Sequence, residues 1–240
     1  MTRDRRLDRR TRELIVPHWS HLEPEDVDGM VTTPRRTLVD CMRNLPPDES
    51  LAIADSALRA DDFTSAELLE LADSTAGRGR TRIEKTAAAA TSKSANALES
   101  VMRSQAGLVP GLEVQAQFPV PVPGTRLVLH PDVADPVLRI ALEAEGFEWH
   151  SQSAALTRDC RRYNALVSMN WMVIRFSWYL VMHDPAYVHQ TLIQAVELAR
   201  QPANVAEESP DRFSHLMRHI RMFGCDPVPT PTTENPLQTH

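Results

Sequence analysis

The hydrophobic period of this 240-residue chain changes once, at about residue 93, and that change excludes both an all-helical and an all-strand fold. Before it, apolar residues recur at helical spacing between well-marked caps. Thr33-Pro34 reads as an N-cap followed by proline at the first helical position, where a missing N–H costs nothing, and Leu38, Val39, Met42 and Leu45 follow on one face. Pro46-Pro47 stops that helix and opens another, in which Leu51, Ile53, Ala54, Ala57 and Leu58 repeat across residues 48–59. Thr64 and Glu67 have the spacing of a capping box, ahead of Leu68, Leu69 and Leu71 as the apolar side. Gly77 and Gly79 punctuate, and residues 80–90 predict a fourth, alanine-rich helix. Residues 32–93 are thus expected to form a helical region, preceded by an arm (1–31) with a short strand at 14–18.

From Ser94 the rhythm differs. Residues 96–105 predict a helix carrying Leu98, Glu99, Met102 and Arg103, ended by Gly107 and Pro110. Residues 114–118 alternate with period two, a second strand is expected near 126–133, and a third over 137–143 after the turn pair Asp135-Pro136. A helix over 154–167 leads to a strand over 171–178, with Met172, Ile174 and Phe176 on one side and Val173, Arg175 and Ser177 on the other. Asp184-Pro185 opens a last helix through Arg200. The fold class expected is α/β: a helical N-terminal region, then an α-β-β-β-α-β-α domain over 94–200. Residues 201–240 are expected to hold one more helix at 211–223 and a disordered Pro/Thr-rich tail.

Composition narrows the class further. With 42% apolar and 24% charged residues the chain can build a core, and its most apolar stretch, 163–182, is broken by Asn170 and Arg175, so no membrane partner is expected. The arginine-rich start runs into Asp, Glu and Pro rather than an apolar run, unlike a signal peptide. Cys41, Cys160 and Cys225 are odd in number and far apart, which points away from a disulfide framework and toward the cytoplasm. The net charge of −6 excludes binding of nucleic acid through bulk charge, yet the charge is segregated: residues 13–77 carry 14 acids against 4 arginines, whereas residues 1–12 and 78–93 are each net +4. The acidic segment also suits a structural partner of another subunit. His215 and His219 with Cys225 lack a fourth ligand at zinc spacing.

The chemistry-bearing residues are acids in the second half. A hard divalent cation needs oxygen ligands converging from different elements with positions left for water and phosphate. Asp132 follows His130-Pro131 near the second strand, Glu143 ends the third, Glu99 projects from the helix before them, and His150 follows in the run Gly146-Phe147-Glu148-Trp149-His150. A histidine there could take the proton of an attacking water. Glu99 reads equally as part of a solvated helix face. Arg158, Arg161 and Arg162 read as a solvated face or as phosphate contacts, and Trp149 as core or as a stacking platform for a base.

These residues carry a resemblance. Ala97-Leu98-Glu99-Ser100, Pro131-Asp132-Val133, the run from Leu138 to Gly146, Trp149-His150, the run from Arg158 to Leu166, and Trp171 to Phe176 stand in the order found in the domain-of-unknown-function 559 group. That group is similar to the very-short-patch mismatch-repair endonuclease, within the PD-(D/E)xK restriction-endonuclease-like superfamily. The resemblance covers residues 94–200. It implies a DNA endonuclease using Mg²⁺ or Mn²⁺, with Asp132 as central metal ligand, Glu143 and Glu99 completing or orienting the site, and His150 as general base. The third position of the (D/E)xK triplet is Glu145 rather than lysine, a change shared with the mismatch-repair relatives. A fold that keeps the shape without cutting stands as the alternative, a nucleic-acid-binding or antitoxin-like regulator.

The helical region resembles another group. Residues 31–40 and 51–59, with Val31-Thr32-Thr33-Pro34-Arg35-Arg36 and Ala54-Asp55-Ser56-Ala57-Leu58-Arg59, are similar to the central region of proteins related to the AbiEi type IV antitoxins. That resemblance implies a toxin–antitoxin or repair partner. A winged helix usually precedes this region in the group, and the sequence starts too late to hold one, as expected of a shortened relative or of a start assigned downstream.

Overall fold

The computed structural model describes residues 8, 10, 14–15, 20–146 and 153–201, the side chains of 153–156 excepted. The strand expected at 14–18, the helix at 211–223 and the C-terminal tail lie wholly or mostly outside these residues. A 3-10 turn over Pro24–Asp26 leads into a two-residue hairpin, β1 (Val27–Asp28) and β2 (Val31–Thr32). Four helices follow: α1 (Pro34–Asn44), α2 (Pro47–Arg59), α3 (Ser65–Ser74) and α4 (Arg80–Ala89).

The caps anticipated from the sequence are made. Thr33 accepts a hydrogen bond from Arg36 N–H at the start of α1. Thr64 and Glu67 exchange the two bonds of a capping box, with Thr64 N–H donating to Glu67 Oε2 at 2.7 Å and Glu67 N–H to Thr64 Oγ1 at 3.2 Å. One apolar assignment shifts. Leu68, Leu71 and Ala72 are buried together with Ile83 of α4, but Leu69 is 46% exposed, because at 100° per residue it leaves the face that residues 68, 71 and 72 share.

In the second half α5 (Ala97–Ala106) starts at Asn96, whose side chain accepts from Glu99 N–H. The strands are β3 (Gln115–Ala116), β4 (Val120–Pro121), β5 (Val128–Leu129), β6 (Val133–Asp135), β7 (Ile140–Glu145) and β8 (Met172–Ser177). Strands β3, β6, β7 and β8 form one sheet in that order, parallel only between β7 and β8, and β4 and β5 form a separate hairpin. The parallel pair needs a crossover, which α6 (Ser153–Ser168) supplies. After β8 come a short helix the sequence did not suggest, α7 (Trp178–His183), and α8 (Pro185–Ala199), which Asp184 caps by accepting from Tyr187 N–H.

The strand limits depart from the expected ones for identifiable reasons. The run expected at 126–133 is divided into β5 and β6 around Pro131, which has no N–H to give a ladder. The strand expected from 137 begins at Ile140, because Asp135 Oδ1 accepts from both Val137 and Leu138 N–H and holds them in a turn. Side-chain alternation on β8 is as expected: Met172, Ile174 and Phe176 join a core with Met102, Ile140, Leu142 and Leu192, whereas Val173 packs on the other face with Ala141, Leu166 and Trp171.

The architecture is therefore mixed α/β, a helical region followed by a mixed sheet with flanking helices. The described residues up to Arg200 belong to one compact unit. Its two regions are joined by α2 against α5, where Ala52 enters the sheet-side core and Asp55, fully buried, accepts two bonds from Arg103 Nη2 at 2.9 and 2.8 Å. Among the described residues no helix is long and apolar enough to cross a membrane.

Candidate nuclease-like site

Strand register brings the candidate acids together. Val133 pairs with Leu142 and Asp135 with Ile140, so the same antiparallel step continued by one residue sets Asp132 beside Glu143. On the other side of β6, Ala116 pairs with Val133, and Gln117 N–H donates to the Asp132 carbonyl at 3.1 Å. On the far side of β7, Glu143 pairs with Arg175. Gln117, Asp132, Glu143 and Arg175 thus make one lateral row across the sheet. Alternation directs Glu143 to the face opposite Leu142, which is the α6 face.

Each member is held. Asp132 Oδ2 accepts from Ala144 N–H at 2.8 Å, tying the aspartate to the backbone of β7. Glu143 is 2% exposed, and its Oε1 accepts from Arg162 Nη2 at 2.9 Å. That guanidinium also donates to the His130 carbonyl at 2.8 Å, so α6 clasps the chain just ahead of Asp132. Glu145 accepts from Arg175 Nε at 2.8 Å and Nη2 at 2.6 Å and from Tyr163 Oη at 3.1 Å. The Arg175 guanidinium stands 4.5 Å from the centroid of the Tyr163 ring, a cation–π contact that stiffens this corner.

The electrostatics are those of crowded, desolvated acids. Burial pushes the Glu143 carboxyl up to about 8, with the Asp132 charge adding to the shift and Arg162 opposing it. Burial likewise raises Asp132, against the pull of the Ala144 N–H and of Arg162. Glu99 is raised for the same reason, and Asp132 contributes there too.

Glu99 does not lie on a solvated face, being 4% exposed. Both of its carboxylate oxygens accept bonds within the protein: Oε2 from Ala95 N–H at 2.7 Å and Gln117 Nε2 at 3.3 Å, Oε1 from Asn96 Nδ2 at 2.9 Å. It therefore orients Gln117. Of the three arginines on α6 only Arg162 reaches the carboxylates, while Arg158 and Arg161 are exposed. Trp149 and His150 lie outside the described residues.

Gln117, Tyr163 and Arg175 were not read as site residues from the sequence. Gln117 has φ +50°, a left-handed backbone that costs a non-glycine residue roughly 1–2 kcal/mol. That turn ends β3 after two residues instead of the five expected, and it delivers the glutamine to the row. Nothing in the period-two pattern at 114–118 marks the turn. Arg175 carried a weak signal, a lone cation at an alternating position of an otherwise apolar strand.

The row offers oxygen donors in a pair. Among the described residues no group of three or more His, Cys, Asp or Glu side chains is gathered to hold a metal ion. Asp132 and Glu143 remain as a donor set of the hard type, close enough that each charge opposes ionisation of the other. Mg²⁺ is commonly held by one or two carboxylates with waters and phosphate oxygens filling the rest of its octahedron, so two acids in this setting fit it.

No family model matches the chain, and no solved structure matches it. Two uncharacterized proteins of Mycobacterium tuberculosis, one from strain CDC 1551 / Oshkosh and one from strain ATCC 25618 / H37Rv, are each 28% identical to it over 176 residues, or 71% of this chain. The matched stretch is 63% of each relative's own length, so the chain spans less than two thirds of the proteins it is similar to.

Proposed function

We propose that residues 94–200 are a metal-dependent DNA endonuclease domain, of the very-short-patch-repair-like kind within the PD-(D/E)xK superfamily that they resemble. The observation that carries this reading is the pairing of half-buried Asp132 with buried Glu143 in one lateral row of the sheet, bounded by Gln117 and Arg175. Two adjoining desolvated carboxylates are costly to ionise together, and a divalent cation removes that cost. Asp132 and Glu143 would hold the ion, and Mg²⁺ or Mn²⁺ there would polarise the scissile phosphate and stabilise the departing 3′ oxygen.

The protein's own residues divide the work. Ala144 N–H fixes the Asp132 carboxylate, and Arg162 fixes Glu143. Glu145 stands at the position of the lysine in the (D/E)xK motif that the sequence resembles. Arg175, paired to it, neutralises the extra negative charge that Glu145 brings to that corner. Arg158 and Arg161, both exposed on α6, would meet phosphates beside the scissile bond. His150 as the base and Trp149 as a stacking surface rest on the sequence alone. A reducing cytoplasm suits the free thiols Cys41 and Cys160.

A second reading is a nucleic-acid-binding or antitoxin-like regulator that does not cut. It is favoured by the closed ion pair at Glu145 and by the absence of a three-acid group among the described residues. Purified protein incubated with plasmid and with mismatched duplex, plus Mg²⁺ or Mn²⁺, separates the two. The nuclease reading expects metal-dependent strand cleavage that Asp132→Ala abolishes. Duplex binding in a gel shift without cleavage supports the regulator, and no binding even at low salt overturns both, since phosphate contacts strengthen steeply as salt falls.

A further inference from the structure

A recess of about 380 Å³ between the C-terminal end of α1 and the N-terminal end of α4 is lined by Arg43, Asn44, Arg78, Gly79 and Arg82, with no acid among them. Arg82 is committed to holding the fold, since its Nη1 donates to the carbonyls of Arg43 and Leu45, each at 3.2 Å, and so closes the last turn of α1. The other two cations are less committed. The Nε of Arg43 is buried without a hydrogen-bond partner, and its nearest carboxylate, Asp40, stands 4.0 Å from Nη1, too far for a hydrogen bond. Arg78 is exposed at the rim. Arg80, next along the chain, is instead paired with Glu84 at 2.6 Å.

The backbone is shaped for this arrangement. Gly79 has φ +86°, and a Cβ there would come 2.8 Å from Arg43 Cγ, so glycine is needed both for the turn and for the close approach of Arg43. As the N-cap of α4 it supplies no side-chain oxygen to that helix end. A guanidinium 27% exposed to the recess, whose carboxylate neighbour stands as far off as 4.0 Å, beside a second, exposed arginine is an arrangement completed by an anionic acceptor with several oxygens.

We propose that this recess is a phosphate-binding site, in which Arg43 and Arg78 clasp a phosphate group against Gly79 and Asn44. It is separate from the carboxylate row and stands whether or not the protein cuts DNA. The phosphate has two sources, the backbone of a nucleic acid or a free phosphate or phosphorylated small molecule.

The test uses the full chain. Inorganic phosphate is titrated while the Gly79 amide is followed by NMR, and affinity for a short DNA duplex is measured against salt, in the wild type, Arg78→Glu, Arg78→Lys and Asp132→Ala. Arg78 is exposed, so its variants are expected to melt with the wild type. The proposal expects a saturable shift of Gly79 that Arg78→Glu weakens about tenfold or more, that Arg78→Lys weakens less, and that Asp132→Ala leaves intact. If Arg78→Glu also weakens duplex binding and lowers the salt slope by about 1, the phosphate belongs to nucleic acid. A Gly79 shift with unchanged duplex binding assigns it to a free phosphate. An unmoved Gly79 amide together with unchanged duplex affinity in Arg78→Glu overturns the site.

Discussion

The helical region and the sheet region each bury an acid, and they do so in opposite ways. Asp55 on α2 is fully buried and saturated: Arg103 donates to both oxygens, and Thr91 N–H adds a third bond at 2.8 Å. Glu143 on β7 is 2% exposed, has one arginine contact, and has a second acid, Asp132, beside it. The first arrangement neutralises a charge and joins α2 to α5. The second leaves an acid that keeps its proton into the neutral range instead of ionising beside Asp132, and acids shifted in this way gather where chemistry is done.

The sharpest way to break the comparison is Asp55→Ala. It strands the Arg103 charge in the region junction, and the expected cost is about 3–5 kcal/mol. A scanning calorimeter should record an unfolding midpoint lower by roughly 10 °C for a unit of this size. A loss below about 1 kcal/mol would mean the pair is not the clamp described.

Glu143→Gln should act in the reverse direction. Below pH 4.5 Glu143 is protonated whether folded or unfolded; between there and about 8 the folded protein keeps a proton that the unfolded chain releases. Stability contributed by this group therefore falls as pH rises through that window. The amide removes the dependence. Denaturant melts should show the variant gaining about 1–3 kcal/mol at pH 8.5 and nothing at pH 4, with saturating Mg²⁺ narrowing the gap if the pair holds the ion. A variant less stable than wild type at pH 8.5 would overturn the account of Glu143 as a strained acid.

The smallest effect belongs to a purely local device. Thr64→Ala removes the side-chain part of the capping box of α3 and should cost about 1 kcal/mol in urea unfolding at neutral pH, with the cost shrinking in acid because the Thr64 hydroxyl also helps hold the Glu67 carboxyl below its usual range. A cost near that of Asp55→Ala would place tertiary contacts at Thr64 that its exposure argues against.

Much of the fold was legible because helix signals are local. Thr33-Pro34, Thr64 with Glu67, Asn96 and Asp184-Pro185 act within one turn of chain, and all four begin helices close to where the sequence puts them. Strand limits were less legible, since Gln117, Pro131 and Asp135 set them through turn geometry and pairing rather than through period. The acids Asp132, Glu143 and Glu145 could be picked out as residue types with the right order. Their neighbours could not: Arg162 lies 19 residues from Glu143 and Arg175 lies 30 from Glu145.

The sequence by itself determined where the capped helices begin, though not the short α7, the change from helical to alternating period near residue 93, and which faces of β8 are apolar, because each depends on a few adjacent residues. The tertiary structure decided which charges matter. Antiparallel register puts Asp132 beside Glu143, the parallel crossover through α6 brings Arg162 and Arg175 to the two acids of β7, and the packing of α2 on α5 turns Asp55 into a clamp. A carboxylate's energy is set by its burial and by the charges around it, and those are properties of the folded neighbourhood that no stretch of chain contains.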